Sequence, residues 1–300
     1  MTESGSNGSS PNGQKVLDET PLPRVRRRPS WPFIVLAVLF VVVPFLTWYL
    51  TWFGRTLSDD DIGRYLSDQK SVRHVQQALT QLEERIEKGD EGVRRWYPQV
   101  VALAESPVAE IRKTVAWVMG QDNKSEEFHK GLLKLVADPH PAVRRNAAVQ
   151  LVRFKDTAGR AELRAMLVPY DVTAPVGGTV GSLLSEGGEV RENALVARIT
   201  DAQNQVQEVR SPLHGRIGRV RAAAGARVNA GDALLTIAPD AEFIYEALRA
   251  LFLVGEDEDL KEVERYAQGV EGMPPQVKEQ AAQTAKAIRG RSGVQDSSRP

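Results

Sequence analysis

Apolar and polar residues alternate differently in successive parts of the chain, and each change of pattern predicts a different element. Residues 29–54 contain no charged side chain, and the stretch 31–53 is WPFIVLAVLFVVVPFLTWYLTWF. Its length matches the roughly 20 apolar residues that a helix needs to cross a hydrocarbon core of about 30 Å. The pattern therefore predicts a single transmembrane helix over residues 31–53.

The charges on either side of this stretch predict its orientation. Arginines at positions 24 and 26–28 precede it, whereas Arg55 follows it and is soon diluted by three aspartates at 59–61. Because basic flanks stay in the cytoplasm, we expect a cytoplasmic N-terminus and an extracytoplasmic bulk, at the cell membrane or at the inner membrane facing the periplasm. A cleaved signal peptide is the alternative, but the run exceeds the roughly 7–15 residues of an h-region and no small-residue cleavage pattern follows it. Residues 1–30, rich in Ser, Gly, Asn and Pro, predict a disordered tail.

Residues 57–170 show helical periodicity and an internal repeat. Segments 106–120 and 138–154 superimpose with an offset of 32, which places Ile111 on Val143 and Arg112 on Arg144. Each has a turn containing proline, an apolar residue followed by arginine, and then small apolar residues at helical spacing. One helical hairpin cannot bury its apolar face alone. We therefore expect stacked helical hairpins, with a generic helical bundle as the alternative.

Residues 171–240 switch to short β-branched runs separated by glycine, and this pattern also occurs twice. At an offset of 37 the matching positions are Gly178 and Gly215, Val180 and Ile217, and Gly188 and Gly225, and a one-residue slip then matches Asn193 with Gly231. Two equivalent half-motifs predict two interlocking halves of one small β-sandwich. Helical periodicity returns over residues 241–290, and the polar residues 291–300 predict a second disordered tail.

These motifs carry two resemblances. The helical segments resemble HEAT repeats of the short bacterial kind. The order Ala-Pro, Gly-x-Val, apolar strand, Gly-x-x-Val and a second apolar strand, given twice, resembles the biotinyl/lipoyl domain, a barrel-sandwich hybrid also found in membrane-fusion adaptors of efflux systems. Together with the transmembrane helix that the apolar run predicts, the resemblances imply a multidomain α+β protein. Its HEAT-like repeats, over 57–170 and 241–290, are interrupted by a small β barrel-sandwich hybrid at 171–240.

The biotinyl/lipoyl family carries its cofactor on a lysine at a hairpin tip, and here that position is Asn204. Matching the family's attachment motif to this chain places the lysine at Asn204, between Gln203 and Gln205. No lysine occurs anywhere between positions 155 and 261. Because an amide has no nucleophilic amine, we expect no cofactor, neither biotin nor lipoate.

Composition bears on other kinds of site. The 39 basic and 39 acidic residues cancel, so no bulk charge favours nucleic acid, and the lack of cysteine removes thiolate metal sites. The histidines, none in a metal-binding spacing, are His74, His129, His140 and His214. The acidic run 256–259 lacks calcium-loop spacing and fits a solvated turn with a helix N-cap better. Motifs of hydrolases and of phosphate-binding loops are missing. We expect no catalytic residue, no metal and no small-molecule substrate, and hence not an enzyme.

The sequence thus predicts a membrane-anchored, extracytoplasmic scaffold or adaptor that acts through protein–protein contacts in the cell envelope. Two alternatives remain. One is an efflux-type membrane-fusion adaptor, although such adaptors place a long coiled-coil hairpin between the half-motifs, where this chain has only residues 200–210. The other is an accessory subunit of a membrane enzyme complex.

Overall fold

The computed structural model describes residues 31–52, 56–68 and 70–297, with side chains at 31–47, 56–68 and 70–292. The chain forms two compact units, Met1–Arg55 and Thr56–Pro300. The predicted tail over residues 1–30 lies outside the described residues. In the larger unit, helices precede and follow two antiparallel sheets, which makes it a mixed α and β fold.

The apolar stretch of the first unit forms helix α1, Trp31–Trp52. Within the described residues, no helix has both the length and the apolar character needed to cross a membrane. The predicted transmembrane helix over 31–53 is therefore wrong. The predictions that depended on it are wrong as well: the single-pass membrane localisation, the cytoplasmic N-terminus and the extracytoplasmic or periplasmic bulk.

Short helices occupy the first part of the larger unit. They are α2 (Asp59–Ser67), α3 (Val72–Glu87), α4 (Tyr97–Ala102), α5 (Ala109–Met119), α6 (Glu126–Leu135), α7 (Pro141–Leu151) and α8 (Arg160–Ala165), with 3₁₀ turns at Glu91–Trp96, Leu103–Glu105 and Val152–Phe154. Serine side chains at Ser58, Ser71 and Ser125 cap α2, α3 and α6 by accepting a backbone N–H of the first turn. Apolar residues from Leu57 to Leu151 form one continuous core between these helices.

Two arginines at equivalent positions of the sequence repeat, Arg112 and Arg144, make similar contacts. Arg112 donates to the Asp138 carboxylate from Nε (2.6 Å) and Nη2 (2.9 Å), and to the Ser106 carbonyl from Nη1 (2.8 Å). Arg144 donates to the Asp138 carbonyl (2.9 Å) and to the Glu162 carboxylate (3.0 Å). Ser106 and Asp138 stand at the same repeat offset as the two arginines. Each arginine therefore ties the loop before its own helix to an acidic residue farther along the chain.

The β-region consists of two four-stranded antiparallel sheets. Its strands are β1 (Tyr170–Thr173), β2 (Gly178–Leu183), β3 (Glu189–Val190), β4 (Leu195–Asp201), β5 (Val206–Arg210), β6 (Gly215–Val220), β7 (Arg227–Val228) and β8 (Ala233–Ala238). The sheet orders are β1-β8-β6-β3 and β5-β4-β2-β7. Exchanging β1 with β5, β2 with β6, β3 with β7 and β4 with β8 converts one order into the other. Apolar residues of both sheets share one core, so the half-motif repeat corresponds to a pseudo-twofold sandwich.

Backbone hydrogen bonds fix the alignment of the two halves. The Gly187 N–H donates to the Ile217 carbonyl (2.8 Å), and the Gly225 N–H donates to the Val180 carbonyl (2.7 Å). Since Val180 and Ile217 are equivalent, Gly225 matches Gly187 and not Gly188 as the sequence alignment predicted. The physical reason is the turn itself: both glycines adopt a left-handed conformation, with φ of 83° and 84°, which a side chain would strain. The one-residue slip therefore lies before this turn.

The helices after the sheets are α9 (Ala241–Val254), α10 (Leu260–Gln268) and α11 (Pro275–Ser297), with a 3₁₀ turn at Asp257–Asp259. Their apolar residues, from Ile244 to Ile288, share one core with Leu163 and Met166 of the preceding helices. Strands β1 and β8 lie side by side, with Tyr170 opposite Ile237. The chain therefore leaves and re-enters a continuous helical core at one place, and the β-region is an insertion in it.

The acidic run 256–259 holds the helices together across this insertion. Glu256 and Asp259 form a capping box at the N-terminus of the helical turn. Asp259 is fully buried and pairs with Arg160 Nε (3.3 Å) and Arg164 Nη1 (3.1 Å). The run is a cap, as the sequence predicted, but its last carboxylate is buried and ion-paired instead of solvated.

Helix α11 extends to Ser297, well into the segment 291–300 that the sequence predicted to be a disordered tail. Arg291 accounts for part of this extension. Its guanidinium donates to the carbonyls of Phe252 and Gly255, each at 2.7 Å. These carbonyls end α9 without intrahelical partners, so Arg291 satisfies them and fixes this turn of α11. Residues 298–300 lie outside the described part.

Candidate functional site

The hairpin between β4 and β5 carries Asn204, the position that the resemblance to the biotinyl/lipoyl family singles out. Asn204 is exposed at its tip and adopts a left-handed conformation with φ of 59°. The Asp201 carboxylate accepts the backbone N–H of Gln203 (2.9 Å) and of Gln205 (2.8 Å). The tip is thus a tight turn closed by an aspartate, and its amide side chains offer hydrogen bonds but no nucleophile.

The histidines have separate local environments. His74 bonds to Asp68 and stacks on Tyr65, His129 bonds to Asp156, His214 lies against Asp240, and His140 precedes α7. Burial lowers the pKa of His140, which favours its neutral form. Among the residues with described placement, no group of three or more His, Asp or Glu is arranged to hold a metal ion.

A groove of about 750 Å³ runs along α9. We call it the α9 groove. Its walls come from α5 and α7 on one side and from α9 and α11 on the other, and its lining includes Trp117, Val149, Gln150, Arg153, Glu242, Phe243, Tyr245, Glu246, Arg249, Phe252, Leu253, Gln280 and Gln283. Four of its eight apolar lining residues are aromatic.

Exposed apolar side chains concentrate in the α9 groove. Over the described side chains after α1, the large apolar residues that are exposed are Trp117, Leu133, Leu184, Val206, Tyr245, Phe252 and Leu253. Trp117, Tyr245, Phe252 and Leu253 all line the groove, and Leu253 is 62% exposed. Single exposed apolar residues are ordinary on a protein surface, whereas a contiguous group indicates an interaction site.

Trp117 is held in place by a neighbouring helix. Its indole N–H donates to Glu83 Oε1 of α3 at 2.6 Å, while 40% of the side chain stays exposed. A ring fixed in this way loses little conformational entropy when another surface packs on it. The groove is therefore partly preorganised.

A second recess of about 310 Å³ adjoins the groove and has the β-region as one wall. We call it the β-side recess. Glu192, Leu213 and His214 of the β-region line it together with residues of α5, α7 and α9, and it shares Trp117, Val149, Phe243 and Glu246 with the groove. Lys113 of α5 bonds to Glu192 Oε2 at 2.8 Å. This contact holds the β-region against the helices, so the inserted domain shapes the binding surface.

Glu246 is the half-buried carboxyl at the boundary between the two recesses. Burial raises its pKa, the negative charge of Glu242 raises it further, and Arg249 lowers it in part. Within the described part of the chain, Glu246 has no hydrogen-bonded or ion-paired partner. The structure thus keeps an acidic group partly desolvated beside aromatic rings.

No protein-family model matches the chain, and no curated protein matches it. Among solved structures, a single-chain, multi-domain long-chain acyl-CoA carboxylase is similar, with 22% identity over 42% of this chain and a TM-score of 0.23. This chain spans only 14% of the length of that carboxylase. An engineered protein is similar with 16% identity over 78% of this chain and 86% of its own, at a TM-score of 0.37. At these scores neither likeness supports an argument about this chain.

Sequence reasoning missed the α9 groove, although α9 carries a signal for it. Ile244, Leu248 and Leu251 face the core. Tyr245, Phe252 and Leu253 lie off that face but recur at i, i+7 and i+8, which is the spacing of a second apolar stripe on a helix. One apolar stripe of α9 packs in the core, so the second stripe indicates a further surface that another segment could cover.

Proposed function

We propose that this chain is a non-catalytic interaction scaffold that presents the α9 groove to a partner protein. The observation that carries the proposal is the concentration of exposed apolar side chains, Trp117, Tyr245, Phe252 and Leu253, along one concave surface. Stacked helical hairpins commonly bind partners on extended concave surfaces, and an apolar groove between helices accepts an amphipathic segment.

The two domain types belong to the same proposal. The repeated arginine contacts of Arg112 and Arg144 support a HEAT-like assignment for the helices. The pseudo-twofold exchange of strands supports a biotinyl/lipoyl-like assignment for the β-region. The amide of Asn204 at the hairpin tip supports an unmodified domain, whose role here is to form the wall of the β-side recess. The efflux-adaptor and membrane-complex alternatives both drew on the predicted membrane span, which the described helices contradict.

Site-specific photocrosslinking in the native cells tests where the partner docks. A photoreactive phenylalanine analogue replaces Leu253 in the groove, Val206 at the β-hairpin or Leu133 on α6, each in the full chain. Leu253 is 62% exposed and Val206 58%, so these two positions are matched for accessibility. We expect one defined crosslinked protein from position 253 and none from position 133.

Two results would overturn the proposal. One is crosslinking from Val206 and not from Leu253, which would move docking to the hairpin. The other is the same set of adducts, or no adduct, from all of these positions.

A further inference from the structure

Glu246 is the carboxylate shared by the α9 groove and the β-side recess. Of the cations that share the β-side recess with Glu246, Lys113 pairs with Glu192 (2.8 Å) and Glu110 (3.0 Å). Arg145 forms an ion pair with Glu162 at 3.6 Å, which is too long for a hydrogen bond, and its Nε has no hydrogen-bond partner. Glu242 and Arg249, the neighbours of Glu246 on α9, are exposed and solvated. Arg249 acts on Glu246 through its charge but forms no ion pair with it. Among the described residues that line the β-side recess, Glu246 is therefore the carboxylate without an ion-paired partner and without full access to water.

The surroundings of Glu246 fit the stem and the head of a basic side chain. Trp117 and Phe243 line the same recess as Glu246, and aromatic rings attract an ammonium or guanidinium group while packing on its aliphatic stem. A cation placed there would pair with a partly desolvated carboxylate, where the attraction is stronger than on an open surface. Exposed apolar residues continue from this point to Phe252 and Leu253.

We propose that Glu246 receives a lysine or arginine side chain of the partner protein, and that apolar residues of the same partner segment pack on Phe252 and Leu253. This inference rests on the proposed function, because it names the chemistry of the partner that the α9 groove would bind. It commits to a side chain of a protein, and a free amine is one of the outcomes of its test.

Three small probes with one hydrocarbon body test the charge preference. They are 4-phenylbutylammonium, 4-phenylbutanol and 4-phenylbutyrate, titrated into the ¹⁵N-labelled full chain. The indole N–H resonance of Trp117, assigned with a Trp117→Phe variant, reports binding. We expect a saturable shift with the ammonium probe, about tenfold weaker binding of the alcohol, and the weakest binding of the carboxylate.

Variants of the protein locate the effect. Glu246→Gln should reduce the affinity for the ammonium probe to that for the alcohol and leave the alcohol unchanged, while Glu242→Gln, at an exposed carboxyl, should change the affinity less than about twofold. Glu246→Gln removes a partly desolvated charge, so it should unfold at no lower temperature than the wild type. An ammonium probe that binds no tighter than the alcohol, or a preference that survives Glu246→Gln, would overturn the inference.

A second experiment uses the partner protein that crosslinks at position 253. In a peptide of its crosslinked segment, replacing the basic residue by glutamine should weaken binding about tenfold in wild type and not at all in Glu246→Gln. A segment without a basic residue, or one whose basic residue has no effect, would show that the groove docks a protein but not through Glu246. Tight binding of the ammonium probe together with such a segment would assign the site to a free amine. The proposed function fails separately, if no protein crosslinks at 253.

Discussion

Removing the carboxylate of Asp138 should destabilise the helical core far more than its position in a loop suggests. The side chains of Arg112 and Asp138 are only 12% and 5% exposed, and their contact is bidentate, at 2.6 and 2.9 Å. The Asp138 carboxylate also accepts the N–H of His140 at 2.8 Å. Asp138→Ala leaves a buried guanidinium without its counter-charge, for which the expected loss is about 3–5 kcal/mol of unfolding free energy.

The matched control is an exposed pair on α3. Lys88 and Glu84 lie 3.7 Å apart with side chains 73% and 58% exposed, so Glu84→Ala should cost no more than about 0.5 kcal/mol. Urea unfolding of the full chain at neutral pH, followed by circular dichroism at 222 nm, measures both. Replacing both partners, as Arg112→Met with Asp138→Leu, should recover most of the loss, because no charge is then left unpaired. A loss below about 1 kcal/mol for Asp138→Ala, or one equal to that of Glu84→Ala, would refute the argument.

Three further perturbations follow from the same contacts. A Cβ added to Gly178 would lie 2.3 Å from the Thr200 carbonyl oxygen, so Gly178→Ala should lower the stability of the β-region by about 1–3 kcal/mol. Gly181→Ala is the control: its Cβ would meet its nearest atom at 3.7 Å, and the melting temperature should stay unchanged. Asp259→Ala should remove the buried carboxylate that Arg160 and Arg164 share, leaving them only exposed partners at Glu256 and Glu258, and make residues 260–297 the first to be cut in limited proteolysis. Equal cutting rates in variant and wild type would count against the bridge. Burial raises the pKa of Asp138, but hydrogen bonds from Arg112 and the backbone of His140 outweigh this effect and bring the pKa below its ordinary value. The ionised carboxylate therefore stabilises the fold above about pH 4, and this stabilisation is lost as the pH falls through the folded-state pKa. Asp138→Asn should flatten the fall in urea midpoint between pH 5 and about pH 3.

The sequence predicted those parts of the fold that depend on local repetition. Alternating β-branched residues and recurrent glycines specify a strand and its turns within a few residues, so both halves of the sandwich were visible as an alignment. The error of one residue at Gly187 came from two adjacent glycines, of which the sequence alone does not show which adopts the left-handed conformation. The arginine repeat was visible for the same reason, although its partners, Asp138 and Glu162, were not.

The candidate site could not be predicted in this way, because its parts come from distant stretches of the chain. Trp117, Phe252 and Glu192 belong to three elements that only tertiary packing brings to one surface. The second apolar stripe of α9 is a local signal, but apolar residues off the core face also occur where another helix covers them. The prediction of Asn204 rests on the resemblance alone, and Asn204 is not among the residues that line the two recesses.

The β-region is attached to the helices at both ends, which restricts its movement. A domain that carries a cofactor between sites needs freedom to move, which a flexible linker at one end supplies. Here both ends of the domain are tied, because Tyr170 pairs with Ile237 and the chain continues directly from β8 into α9, whose core is shared with the helices before the insertion. The contact between Lys113 and Glu192 adds a third tether. A lysine placed at position 204 would therefore supply a nucleophile without the freedom of movement that a carrier domain needs.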